Sequence, residues 1–119
     1  MITEFNASEV IGEAIRAGQA AHDSAVPIPM GVTDGRQTWV VNDGVCGFAW
    51  VNVHGVRSNS KVGKALIANG FRKSDYEKCL QFWVHTPNQS MDRKEAYARA
   101  FADVLTQHGI KAYPGSRMD

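Results

Sequence analysis

The stretch GVCGFAWVNVHGVRSNSKVGK, residues 44–64, runs from apolar residues through a Gly/Ser/Asn loop to lysines on what reads as a helix. Backbone amides at a helix start attract anions, and Arg57, Lys61 and Lys64 add formal charge to that attraction. Arg57, Ser58, Ser60 and Lys61 are therefore candidate phosphate holders, with Lys64 one turn further on. A phosphate-binding P-loop requires G-x-x-x-x-G-K-[ST]. Here Gly55 stands too far ahead of Gly63-Lys64, and Ala65 replaces the hydroxyl residue, so NTP hydrolysis of that type is excluded.

The aromatic residues offer a second chemistry. A strand over 45–54 turns Cys46, Phe48, Trp50, Asn52 and His54 to one face and Val45, Gly47, Ala49, Val51 and Val53 to the other. A strand over 80–86 likewise puts Gln81, Trp83 and His85 on one face. If the two strands are neighbours, Trp50, His54, Trp83 and His85 share a surface on which a base can stack, beside the basic loop. Two plainer outcomes compete with it. Either both faces are core and the indoles are simply buried, or a partner subunit covers the aromatic face.

Other reactive groups are sparse. His22, His54, His85 and His108 show no helical metal-ligand spacing. A His54/His85 acid–base pair would make a small hydrolase, but no Gly-x-Ser-x-Gly elbow and no cluster of acids accompanies it. Cys46 and Cys79 sit among apolar residues and read as two buried free thiols, with no Cys-x-x-Cys and no Cys/His group for a metal. No cofactor motif is present. Arg117 stands in a polar ending of the kind that is usually frayed; if that ending folds back, Arg117 pairs with a carboxylate or faces a ligand.

These groups need elements to hold them. Asn6 and Glu9 form a capping-box pattern ahead of a helix over 7–21, with Phe5 and Val10 as its staple. Val10, Ile11, Ala14, Ile15 and Gly18 make its apolar stripe. Residues 26–30, VPIPM, are extended because of their prolines. Asp34-Gly35 marks a turn, 37–41 a strand and Asn42-Asp43-Gly44 a tight turn into 45–54, which together make a three-stranded meander. Ser58 or Ser60 caps a short helix ending at Asn69-Gly70. Pro87 stops the strand over 80–86. Ser90 caps a helix over 91–108, with Tyr97, Phe101, Val104, Leu105 and His108 on one face, and Gly109 ends it. Residues 110–113 form a short last strand before Pro114-Gly115 turns the chain into its tail.

The expected fold is a single α+β domain, a mostly antiparallel sheet of four to five strands packed against two or three helices. A chain of 119 residues that is 44% hydrophobic and 21% charged can bury a core without disulfide or metal. No apolar run reaches membrane-span length, and the first residues lack a signal-peptide pattern, so the expected location is cytoplasmic. The net charge is +1, but residues 57–78 hold six basic residues against two acidic ones. That uneven distribution fits an anionic partner, and equally a solvated helix with its flanking loop.

Two segments together resemble a group of small proteins from tailed bacteriophages: GVCGFAWV at 44–51, and SMDRKEAYARAFADVLTQHGIKAYPGSRMD at 90–119. In that group a Gly-Phe-Ala-Trp-Val-like strand precedes a helix, a glycine and a strand ending in Gly-Ser-Arg-hydrophobic-Asp. Residues 1–35 lie outside the resemblance. It implies a phage or prophage origin and a host-cell cytoplasmic setting, and it carries no catalytic residue with it.

The leading expectation is a non-enzymatic phage accessory protein that binds a nucleotide or nucleic acid. Its ligand-binding candidates are Trp50, His54, Arg57, Ser58, Lys61, Lys64, Trp83, His85 and Arg117. The second is a protein–protein module, either a virion component or an inhibitor of a host protein, with a homo-oligomer as one form. The His54/His85 hydrolase comes last.

Overall fold

Helix α1 spans Ala7–Ser24 and helix α3 spans Met91–Gln107, with the shorter α2 at Lys61–Ala68. The strands are β1 Met30–Thr33, β2 Thr38–Val41, β3 Gly47–His54, β4 Arg72–Ser74, β5 Cys79–Trp83 and β6 Lys111–Met118. The computed structural model describes residues 1–27, 30–33, 35, 38–41 and 44–119. The expected turn at Asn42-Asp43, the start of a strand at Gln37, and Asp34 of the Asp34-Gly35 turn lie outside the described residues.

Four strands form one antiparallel sheet in the order β4-β5-β3-β6. From β3 onward the chain runs strand, helix, strand, strand, helix, strand, which is the split βαβ arrangement. The two central strands are β3 and β5, paired with Trp50 opposite Trp83 and Asn52 opposite Gln81. Strand β6 pairs with the outer side of β3 along its whole length. The protein is an α+β domain, as its composition and patterning led us to expect.

The alternation along β3 decides what the sheet does. Ala49, Val51 and Val53 are fully buried and meet Phe101 and Leu105 of α3. Phe48 and Trp50, pointing the other way, are only half-buried. Helix α1 runs antiparallel along α3, with Ile2 N–H bonded to the His108 carbonyl at one end and Arg93 Nη1 on the His22 carbonyl at the other. Gly18 lets the helices close up, since a Cβ there would stand 2.8 Å from the Tyr97 ring. Serine caps hold both later helices: Ser60 Oγ accepts from Gly63 N–H and Ser90 Oγ from Arg93 N–H.

Several local expectations are corrected. Among the described residues the three-stranded meander does not form, because β2 pairs only with β1 and β3 joins the other sheet. Pro114-Gly115 does not turn the chain: β6 continues through it to Met118. An edge strand tolerates proline because its outer side has no ladder to complete. Asn6 makes no side-chain cap; its Oδ1 accepts instead from Thr3 N–H. Phe5 is exposed, so the staple is absent and Ile2 fills that end of the core. The short strand β4 escaped the apolar pattern because Arg72 and Lys73 are exposed on a sheet edge. No helix among the described residues is long and apolar enough to cross a membrane.

Candidate functional site

Among the described residues the helices contribute to the core on the side of Ala49, Val51 and Val53, and Trp50 and Trp83 are left half-buried on the opposite face. Pairing in register brings the two indoles together, with ring centroids 5.1 Å apart and planes tilted by 36°. Phe48 meets the edge of Trp83 at 6.1 Å, extending the aromatic surface toward one end of β3. Toward the other end His54 lies 5.7 Å from Tyr113. The face therefore carries a band of rings along the two central strands and β6.

Each indole is held for a different reason. Trp50 lies across β6 at Gly115, its direct partner in the ladder. A Cβ on residue 115 would come within 2.4 Å of Trp50 Nε1, so only glycine leaves the ring room. Trp83 is held by hydrogen bonds instead. Its Nε1–H donates to Gln81 Oε1 at 2.6 Å, Gln81 Nε2–H donates to Asn52 Oδ1 at 2.9 Å, and Asn52 Nδ2–H donates to Glu77 Oε2 at 2.9 Å. All the donors in this chain point the same way and it ends on a carboxylate, so each bond polarises the next. Glu77 comes from the turn 75–78, and with Tyr76 it walls a hollow of about 350 Å³ that also borders Trp50, Trp83 and Arg117.

The surrounding charge is mostly positive. Arg72, Lys111 and Arg117 stand exposed at ladder positions facing the same side, opposite Gln81, His54 and Phe48. None of the three forms an ion pair among the described residues. The Arg117 guanidinium sits 5.5 Å from the Phe48 ring centre, a cation–π distance.

The structure divides the sequence candidates into groups. Trp50, Trp83 and Arg117 meet around one hollow, and His54 shares their face. Arg57 and Ser58 line a different cavity of about 860 Å³, at the end of the sheet, with Lys73, Asp75 and Lys78. Lys61 and Lys64 reach neither: Lys61 extends toward Glu4 beside α1, at 3.9 Å, and Lys64 is exposed on α2. The start of α2 is also already served, because Ser60 Oγ takes the Gly63 amide and donates to the Arg57 carbonyl. His85 lies two residues past the end of β5, where continuing the register puts it opposite Phe48, six residue steps from His54 or roughly 20 Å. That spacing is too long for the two imidazoles to share one substrate proton.

Asn52, Gln81, Glu77, Gly115 and Lys94 were not singled out as site residues. Alternation along β3 did place Asn52 on the right face. Glu77 and Gly115 carry no sequence signal, because one arrives from a turn and the other serves by lacking a side chain. Both thiols are free, but only Cys79 is buried as expected; Cys46 is exposed, while burial, with the Glu77 charge adding, pushes the Cys79 thiol up from its ordinary range. No group of three or more His, Cys, Asp or Glu among the described residues is placed to hold a metal. Comparison with protein-family models, with curated proteins and with solved structures finds no match for the chain.

Proposed function

We propose that the chain is a non-enzymatic binding protein that takes single-stranded nucleic acid on the open face of its sheet. The observation that carries this reading is the Trp50–Trp83 pair, half-buried on the two central strands, on the face opposite the Ala49, Val51 and Val53 core. Every base has a π-face, so a platform of rings with basic residues around it binds a strand with little regard to sequence. A strand suits the site better than a mononucleotide. Small-molecule sites enclose most of their ligand, whereas this face is a shallow surface running about 26 Å along the eight residues of β3. Arg72, Lys111 and Arg117 then serve the backbone. The resemblance of 44–51 and 90–119 to tailed-phage proteins supports the reading of an accessory factor acting in an infected cell.

The test is a fluorescence titration with a short oligothymidylate. Binding should quench the tryptophan emission, and Trp83→Leu should weaken it by the stacking of one base, about 1–3 kcal/mol. Unchanged emission and no measurable affinity at low salt would end this reading.

A second reading, contact with a protein partner, draws on the β1–β2 hairpin. Among the described residues its strands pair only with each other, and two-stranded sheets are marginal alone in water. The long dimension of 58 Å is twice the next, 29 Å, so the body is extended. Such a protein would form a stable oligomer or capture a host protein irrespective of salt.

A further inference from the structure

Lys94, in the first turns of α3, is an ammonium in an unusual place. It is 5% exposed, its Nζ donates to the Gly47 carbonyl at 3.1 Å, and it lies 5.5 Å from the Phe48 ring centre. An ammonium has three donors, and this one forms no ion pair among the described residues. A buried charge is costly unless an opposite charge meets it. Lys94 borders a hollow of about 510 Å³ together with Phe48, Trp83, His85 and Gln89, and no Asp or Glu among the described residues lines that hollow. The hollow therefore has a cation and a ring wall and lacks an anion.

Trp83 is the wall shared by this hollow and the one beside Trp50. A base stacked on Trp83 has its own backbone close by. We infer that the Lys94 hollow is the phosphodiester subsite of the face, in which a backbone phosphate of the bound strand sits against Lys94 with His85 at the rim. This rests on base stacking at Trp83 as proposed above. It assigns to one buried lysine the charge recognition that the exposed Lys61 and Lys64 do not supply.

The salt dependence of oligothymidylate binding tests it, with each protein first checked for its native far-UV circular dichroism. Each phosphate neutralised on a single strand contributes about 0.7 to the slope of log K against log salt. Lys94→Met should lower the slope by that amount and weaken binding about tenfold at low salt, while the quench at saturation remains. Gln89→Glu, an exposed change that places a carboxylate in the hollow, should weaken binding to a similar degree. If Lys94→Met does not fold, Gln89→Glu decides alone. Full affinity and an unaltered slope in the folded variants, with the quench intact, would overturn the subsite and leave base stacking standing. A wild-type protein with no quench and no affinity would overturn both.

Discussion

Changing Gly115 to alanine tests the geometry of the ring platform without removing an aromatic residue or a charge. The added Cβ would lie 2.4 Å from Trp50 Nε1, 2.7 Å from Cε2 and 3.0 Å from Cζ2. Non-bonded heavy atoms settle at about 3.5–4.0 Å, so the indole must move by more than an ångström. It is half-buried on an open face and swings outward rather than forcing the backbone apart. Its partnership with Trp83, with centroids 5.1 Å apart, is then lost. An aromatic pair is worth about 0.5–1.5 kcal/mol. Gly115 has no positive φ. Alanine there also recovers about 0.4–1 kcal/mol by restricting the unfolded chain. The two effects nearly cancel, so stability changes by less than about 1 kcal/mol. Binding should not be spared. Losing one stacked base costs about 1–3 kcal/mol, roughly a 5- to 150-fold rise in Kd for the oligothymidylate. Three measurements on one protein suffice: a urea melt, the far-UV exciton couplet of the paired indoles, and the fluorescence titration. An unchanged couplet with wild-type affinity would refute the argument that glycine at 115 sets the platform.

Other perturbations follow from the same contacts. Gly63→Ala puts a Cβ 1.9 Å from the Arg57 carbonyl oxygen, a backbone atom that cannot swing aside; an overpacking cost of about 3 kcal/mol should appear as a clear drop in the thermal midpoint. Ser90→Ala removes the Oγ that accepts from Arg93 N–H and should cost about 1 kcal/mol in a urea melt. Iodoacetamide at neutral pH should label the exposed Cys46 first and leave Cys79 intact until the protein unfolds. Burial raises the folded-state values of both Cys79 and Tyr97. For such acids the unfolded chain ionises first, so stability is whole below the ordinary thiol value and falls as pH climbs above it, then falls again above the ordinary phenol value. Urea midpoints measured against pH should show both declines, and Cys79→Ala should remove the earlier one.

Much of the secondary structure was legible locally. Ser90 followed by Tyr97, Phe101, Val104 and Leu105 at helical spacing defines α3 without reference to anything else. The alternation Phe48, Trp50, Asn52 against Ala49, Val51, Val53 likewise assigns two faces to β3. Local signals misled where a distant contact outbid them. Phe5 looked like a staple, yet Ile2 takes the core position because the N-terminus pairs with the end of α3. Pro114-Gly115 looked like a turn, yet the ladder to β3 carries the chain straight through.

The residue sequence by itself determined the class of object: an α+β chain with a two-faced strand, aromatic on one side and small-aliphatic on the other. Periodicity is a local property, and a strand's faces follow from every second residue. Only the tertiary structure decided which strands touch. The order β4-β5-β3-β6 places Trp50 against Trp83, sets Gly115 beneath one ring, brings Glu77 to the end of a hydrogen-bond chain and buries Lys94 beside Phe48, while it parts Lys61 and Lys64 from all of them. Strand pairing is a choice among distant partners, made by how much apolar surface the whole sheet buries against α3, and no window of neighbouring residues contains that information.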